Sequence, residues 1–420
     1  MMTSNGGETA GDLIRRSLPH DPGEILHMFA RFRTTRKSVA QLFAWTAFAW
    51  LAACDMPLAP DANTGPQIEP GNPVQVALLV PRGSGSTSDD FLAQNLENAA
   101  RLAISDLEGA KIELRVYSTG SDPATAAAVA VAAVNDGAQI ILGPLYGEAA
   151  NAAGVAVAGR NVNVLAFSNN PSIAGGNVFI LGSTFNNTAN RLVQYGNRTG
   201  ISRYLIAYGE DTGGQVGRDA IASAIQRNGA QVVATEGYPL SQQGIFGSTQ
   251  RIVASVRDSG AQAVFSTASA NADLPIIATS LPDAGMNVGT TKLIGLTRWD
   301  TVPQLYALPG VQGGLFAMPD QSTATLFASR YAGTYGQQPH PLAGLAYDGI
   351  AAIGALVAEG KSNALTKAAL TSPQGFRGTS GAFRLLPNGQ NERALAIATI
   401  QNNQVVVLEQ APRSFAGAGF

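Results

Sequence analysis

Ala138-Gln-Ile-Ile-Leu-Gly-Pro-Leu-Tyr-Gly-Glu-Ala-Ala150, continuing to Val164-Leu-Ala-Phe-Ser-Asn-Asn-Pro171, is the stretch that decides the fold. Ile140 to Leu142 is a short apolar run stopped by Gly143-Pro144, the pattern of a strand buried on both faces of a parallel sheet. Glu148 to Arg160 is rich in Ala and Val, holds no Pro, and reads as a helix. Val162 to Phe167 is a second buried strand, closed by Ser168-Asn169-Asn170-Pro171. Strand, helix and parallel strand make a βαβ unit. Ligands approach such units at the carboxyl ends of the strands, so Tyr146, Gly147, Ser168, Asn169 and Asn170 are candidates for one cleft edge.

Outward from this unit the same alternation repeats. Towards the N-terminus lie a strand at Val74 to Val80, a helix at Phe91 to Glu108, a strand at Ile112 to Tyr117 and a helix at Asp122 to Asn135. Asp122 is the expected cap before Pro123. Towards the C-terminus come a strand at Val178 to Leu181 and a helix around Thr188 to Gly196. Strands then begin at Tyr204, Gln231, Ala263 and Leu293, with helices between them. Continuous β/α alternation predicts an α/β protein with two doubly wound parallel-sheet lobes.

The order Leu142-Gly-Pro-Leu145, Val164-Leu-Ala-Phe-Ser168, Val178-Phe-Ile-Leu-Gly182 resembles the leucine-binding (type 1 periplasmic solute-binding) family. Within it the wording is closest to the penicillin-binding-protein activator lipoproteins. The likeness spans roughly Val74 to Glu409. It implies a type 1 periplasmic binding protein fold with a three-crossing hinge near Gly182 to Thr184, Met318 to Asp320 and Gly375 to Gly381. Residues 74–182 and 320–375 would form lobe 1, and residues 183–319 and 376–420 lobe 2.

Composition sets bounds. The chain has 420 residues, 45% hydrophobic and 13% charged, with net charge −2, so no basic field draws in nucleic acid. A single Cys excludes an intramolecular disulfide. Of the 3 His, His20 and His27 lie in the segment expected to be removed, leaving His340, more a loop residue than a catalyst. There is no zinc or calcium spacing and no Gly-x-Ser-x-Gly elbow. The glycines of Gly83-x-Gly85 lack the third member of a dinucleotide fingerprint, and no Walker lysine follows. The expectation is a non-catalytic protein without metal or cofactor.

The first residues read as a targeting segment. Arg31, Arg33, Arg36 and Lys37 precede the apolar run Val39 to Leu51, too short for a comfortable membrane span. It ends in Leu51-Ala52-Ala53-Cys54, which resembles a lipobox. Residues 1–53 are therefore expected to be a signal peptide, with the part before Met28 an overlong start. Cys54 would carry the lipid that anchors the chain to a membrane. Removal takes away six basic and four acidic side chains and leaves 21 and 25, net −4. Asp55 resembles an inner-membrane retention signal, although inner and outer membrane both stay open. Proline-rich residues 54–73 are expected to be a flexible tether, so the body would work in the periplasm.

Further candidates for the cleft are Ser84 and Ser86 in the glycine-rich loop, Glu210 and Asp211 after the Tyr204 strand, Trp299, and Asp348. For Glu210-Asp211 the plainer reading is a loop pair capping the next helix. Trp299 stands equally for packing or stacking, and Asp348 matches a recurrent family position that ties the hinge. Receptors of the resembled family hold a ligand carboxylate with hydroxyls and amides after the third strand. Here Tyr146 and Glu148 would crowd or repel it. This places first a regulator of peptidoglycan synthesis, with a cell-wall synthase as partner. The alternative is the substrate-binding receptor of an ABC transporter for amino acids or similar small solutes.

Overall fold

The computed structural model describes residues 64–415. Cys54 and the targeting segment lie outside the described residues.

The first lobe is built on a five-stranded parallel sheet of β1 (Val74–Val80), β2 (Ile112–Ser118), β3 (Ile140–Leu142), β4 (Asn163–Ala166) and β5 (Val178–Ile180), in the order β2-β1-β3-β4-β5. Helices α1 (Thr87–Ser105), α2 (Pro123–Asn135) and α3 (Gly147–Val157) connect them. β3 and β4 are buried at every residue, which is why their sequences are apolar without alternation. α1 starts at Thr87, before the expected Phe91, because Ser86 accepts the Asp89 N–H and caps it. Asp122 caps α2 through the Thr125 N–H at 2.7 Å. Gly143, at φ 87°, ends β3 where a Cβ would stand 2.3 Å from the Leu79 carbonyl oxygen, so only glycine fits.

The second lobe starts with α4 (Phe185–Arg198), whose Thr184 and Asn187 form a reciprocal capping box. Next come β6 (Arg203–Gly209), α5 (Thr212–Arg227), β7 (Gln231–Tyr238), α6 (Gln242–Ser259), β8 (Ala263–Ser266), α7 (Leu274–Asp283), β9 (Lys292–Gly295) and β10 (Leu315–Met318). The chain then returns to the first lobe as α8 (Gln321–Tyr335), α9 (Ala343–Ala358) and α10 (Lys367–Leu370). α9 comes close to β3 because Gly349 presents no side chain to Leu142; a Cβ there would lie 2.3 Å from Leu142 Cδ1. Ile350, Ile353 and Leu356 share one core with Val76, Leu78 and Leu96.

A small antiparallel sheet follows, β11 (Phe376–Gly378), β12 (Gly381–Leu385) and β13 (Asn391–Arg393). Antiparallel β14 (Ala396–Gln401) and β15 (Gln404–Glu409) then complete the seven-stranded second sheet, in the order β15-β14-β10-β9-β8-β6-β7. Their turn at Asn402 and Asn403 takes φ of 51° and 61°, the left-handed pair a tight hairpin needs.

Two boundaries differ from expectation. Phe376, Phe383 and Leu385 pack into the first core, so β11 to β13 side with lobe 1. The third crossing accordingly falls between Arg393 and Ala396, not at Gly375 to Gly381. Residues 64–73, expected to belong to the tether, are instead attached to the body. Ile68 is buried in the first core, its N–H donates to Ser362 O at 2.7 Å, and Lys367 N–H donates to Thr64 O at 2.6 Å. A proline-rich composition concealed this one apolar anchor.

Candidate functional site

A cleft of about 740 Å³ opens between the strand ends of the first lobe, the crossings and one loop of the second lobe. Leu145 to Glu148 after β3 and Phe167 to Asn170 after β4 form one wall, as the βαβ reading requires. Pro319 and Arg393 contribute from the crossings, Ser380 from the turn between β11 and β12, and Arg298 enters from the loop after β9. The remaining side is apolar: Ala324, Phe327 and Ala328 of α8, the Pro339 to Leu342 loop, and Leu345 of α9.

The polar edge is organised by α3. Its N-cap, Tyr146, supplies no side-chain acceptor, so the first-turn amides keep unfilled donors at the positive end of the helix. Ser168 is buried, and its hydroxyl accepts the Asn170 N–H at 3.1 Å. Gly147 lies against both, since a Cβ there would approach Asn170 Nδ2 at 3.3 Å and Ser168 Oγ at 3.5 Å. Asn169 and Asn170 are exposed on the rim. They also border a second cavity of about 560 Å³ next to the starts of α4 and α5, with Phe185 and Val216 on its far side.

Tyr146 does not fill the cleft. Its hydroxyl donates to Asp89 Oδ1 at 2.6 Å, while Ser121 donates to Asp89 Oδ2 at 2.8 Å, which binds the loop after β3 to the start of α1. The Tyr146 hydroxyl holds the Asp89 carboxyl below the usual carboxylate range. Glu148 is exposed at the mouth, on the first turn where the helix dipole favours its charge.

The other candidates divide clearly. Ser84 and Ser86 lie outside the cleft lining: the Ser84 hydroxyl accepts from the Ser86 N–H, and Ser86 caps α1. Asp211 caps α5 through the Gly214 N–H at 2.8 Å, and Glu210 folds over Gly237; neither lines the cleft. Trp299 is fully buried in the second core and stacks on Phe316 with ring centroids 5.4 Å apart. Gly295 makes room for it, because a Cβ there would touch Trp299 Nε1. Asp348 reaches the cleft floor but is committed, accepting the Thr379 N–H at 2.6 Å and Arg393 Nη1 at 3.0 Å.

Three contributors escaped the sequence reading. Arg393 sits in a strand with no family motif. Phe327 and Leu345 looked like ordinary helix faces, although half-exposure on the cleft side sets them apart. Arg298, beside Trp299, is the residue of that pair that faces the cleft, and its Nε donates to Asp300 at 3.1 Å. His340 also lines the cleft. Its Nδ1 accepts the Leu342 N–H at 3.1 Å, its ring meets Phe91 edge-on, and burial pushes its pKa below the ordinary value. Among the described residues no cluster of His, Cys, Asp or Glu is arranged to hold a metal ion. No helix among them is long and apolar enough to cross a membrane.

A profile described as periplasmic binding protein matches residues 73–404. A search of curated proteins finds no match. Among solved structures, a putative branched-chain amino acid ABC transporter protein from Rhodospirillum rubrum matches with TM-score 0.67 at 17% identity, covering 80% of this chain and 100% of that one. An ABC transporter substrate-binding protein from Desulfitobacterium hafniense, solved in complex with Leu, gives 0.56 at 19% identity over 80% and 100%. A solute-binding protein from R. palustris in complex with 4-hydroxybenzoate gives 0.52 at 17% identity over 83% and 99%.

Proposed function

This chain belongs to the periplasmic binding protein family, and we propose that it is the solute-binding component of an ABC transporter, receiving a small molecule in the periplasm. The observation that carries the reading is the cleft itself. A volume of about 740 Å³ suits one small solute, and its polar edge combines free helix amides with Ser168, Asn169 and Asn170. Helix amides facing an apolar chamber suit an anionic group on an apolar body. Tyr146, which the sequence suggested would crowd this edge, is turned onto Asp89 and forms a wall.

Cys54 would carry the lipid anchor. With Ile68 packed into the body, such an anchor would hold the receptor at the membrane face. The regulator reading, with a peptidoglycan synthase as partner, rested on motif wording and on the crowding expected of Tyr146 and Glu148; with Tyr146 turned onto Asp89 it takes second place.

The test is a thermal-shift screen of the lipid-free body against small carboxylates, amino acids and sugars. A ligand at a hundred times its Kd stabilises the fold by about 2.7 kcal/mol, a clear rise in Tm. A screen without any shift, together with capture of a periplasmic synthase domain, would replace the receptor by the regulator.

A further inference from the structure

The charge arrangement of the cleft narrows what it accepts. Resting on the proposed function, we infer that the ligand is a carboxylate with an apolar body and no ammonium group, an organic acid in place of an α-amino acid. Among the described residues, two carboxylates line the cleft, Glu148 and Asp348. Asp348 is spent: 1% exposed, it is paired with Arg393 and accepts the Thr379 N–H, so its charge is already neutralised and its oxygens are bonded. Glu148 is exposed at the mouth, where water screens it and where it offers a desolvated ammonium little. Glu210 and Asp211, the second-lobe carboxylates among the sequence candidates for the cleft, line no part of it, and Asp211 is used as a helix cap.

What the cleft offers instead is one anion-receiving edge and an apolar chamber. The edge has the uncapped α3 amides, Ser168 and Asn169; Arg298 enters from the other lobe already paired with Asp300, so it adds no free charge to this edge. The chamber walls are Leu145, Phe167, Phe327, Ala328, Leu342 and Leu345. His340, the titratable group of this wall, has Nδ1 occupied as an acceptor of the Leu342 N–H. Its ring is therefore neutral with the proton on Nε2, and supplies no negative charge to a cation. An ammonium drawn into this chamber loses its water without gaining a dry counter-charge.

The experiment compares pairs of probes that differ only by the ammonium: 3-phenylpropanoate against phenylalanine, and 4-methylpentanoate against leucine, by calorimetry on the lipid-free body. The expected result is at least tenfold tighter binding of an ammonium-free acid than of its amino acid. Glu148→Gln should bind that acid a few-fold tighter, because a like charge is removed from the mouth. Ala328→Trp, which fills the chamber, should weaken it at least tenfold with Tm unchanged. Equal or tighter binding of the amino acid, weakened by Glu148→Gln, would overturn the inference and leave the receptor reading standing. A non-carboxylate solute found on native protein would do the same. No binding by any probe, with no solute on native protein, would overturn both.

Discussion

Arg393 Nη1 lies 3.0 Å from Asp348 Oδ2, with side chains 6% and 1% exposed, and this pair fastens the third crossing to α9. Arg393 also donates to Leu181 O in the first crossing, and Asn391 next to it donates to Ile180 O at 2.8 Å and Gly182 O at 2.9 Å. Two of the three links between the lobes are thereby bonded to each other, and lobe movement must occur around this joint. Removing one partner strands a buried charge. Arg393→Met should cost about 3–5 kcal/mol in urea denaturation, and Arg393→Met with Asp348→Leu should recover a large part of it. A single-variant loss below 1 kcal/mol would show that the joint does not depend on this pair.

Trp299 separates packing from recognition. Buried between Gly295 and Phe316, it should cost about 3–5 kcal/mol on truncation to Ala. Trp299→Phe should keep ligand affinity within a factor of two. A large affinity loss at preserved stability would place the indole in the binding site after all.

Asp89 predicts an acid-sensitive step. The Tyr146 hydroxyl, foremost among its neighbours, lowers its pKa in the folded state. A depressed carboxylate adds stability above its unfolded pKa, near the ordinary 3.8, and loses it as pH falls through the lower folded value. Tyr146→Phe should raise the Asp89 pKa and shrink the stability lost below about pH 4, as followed by NMR titration and acid unfolding. An unchanged Asp89 titration in the variant would contradict the hydrogen-bond assignment.

Much of the architecture was legible because buried parallel strands write themselves as uninterrupted apolar runs. Ile140 to Leu142 and Val164 to Ala166 are buried throughout, and Asp122-Pro123 marked a helix start that the fold uses. What sequence could not show was side-chain direction. Tyr146 and Ser168 flank one strand-end edge, yet nothing local states that Tyr146 bonds Asp89, 57 positions away. Arg298 and Trp299 are neighbours in the chain, and one faces the cleft while the other fills the core. The resemblance placed the third crossing too early, since Phe376 and Phe383 look alike in either lobe.

Anchoring is testable by fractionation. Wild-type precursor should partition into the detergent phase, and Cys54→Ser should move it to the aqueous phase, since a diacylglycerol on that thiol is the proposed anchor. Detergent partitioning of the variant equal to wild type would contradict the lipobox.

The receptor account stands most directly on native mass spectrometry of the protein purified without denaturation. It predicts a single added mass of small-solute size, lost after unfolding and dialysis and restored by adding the solute back. A bare polypeptide mass, with no small carboxylate or amino acid restoring an adduct or raising Tm, would contradict it.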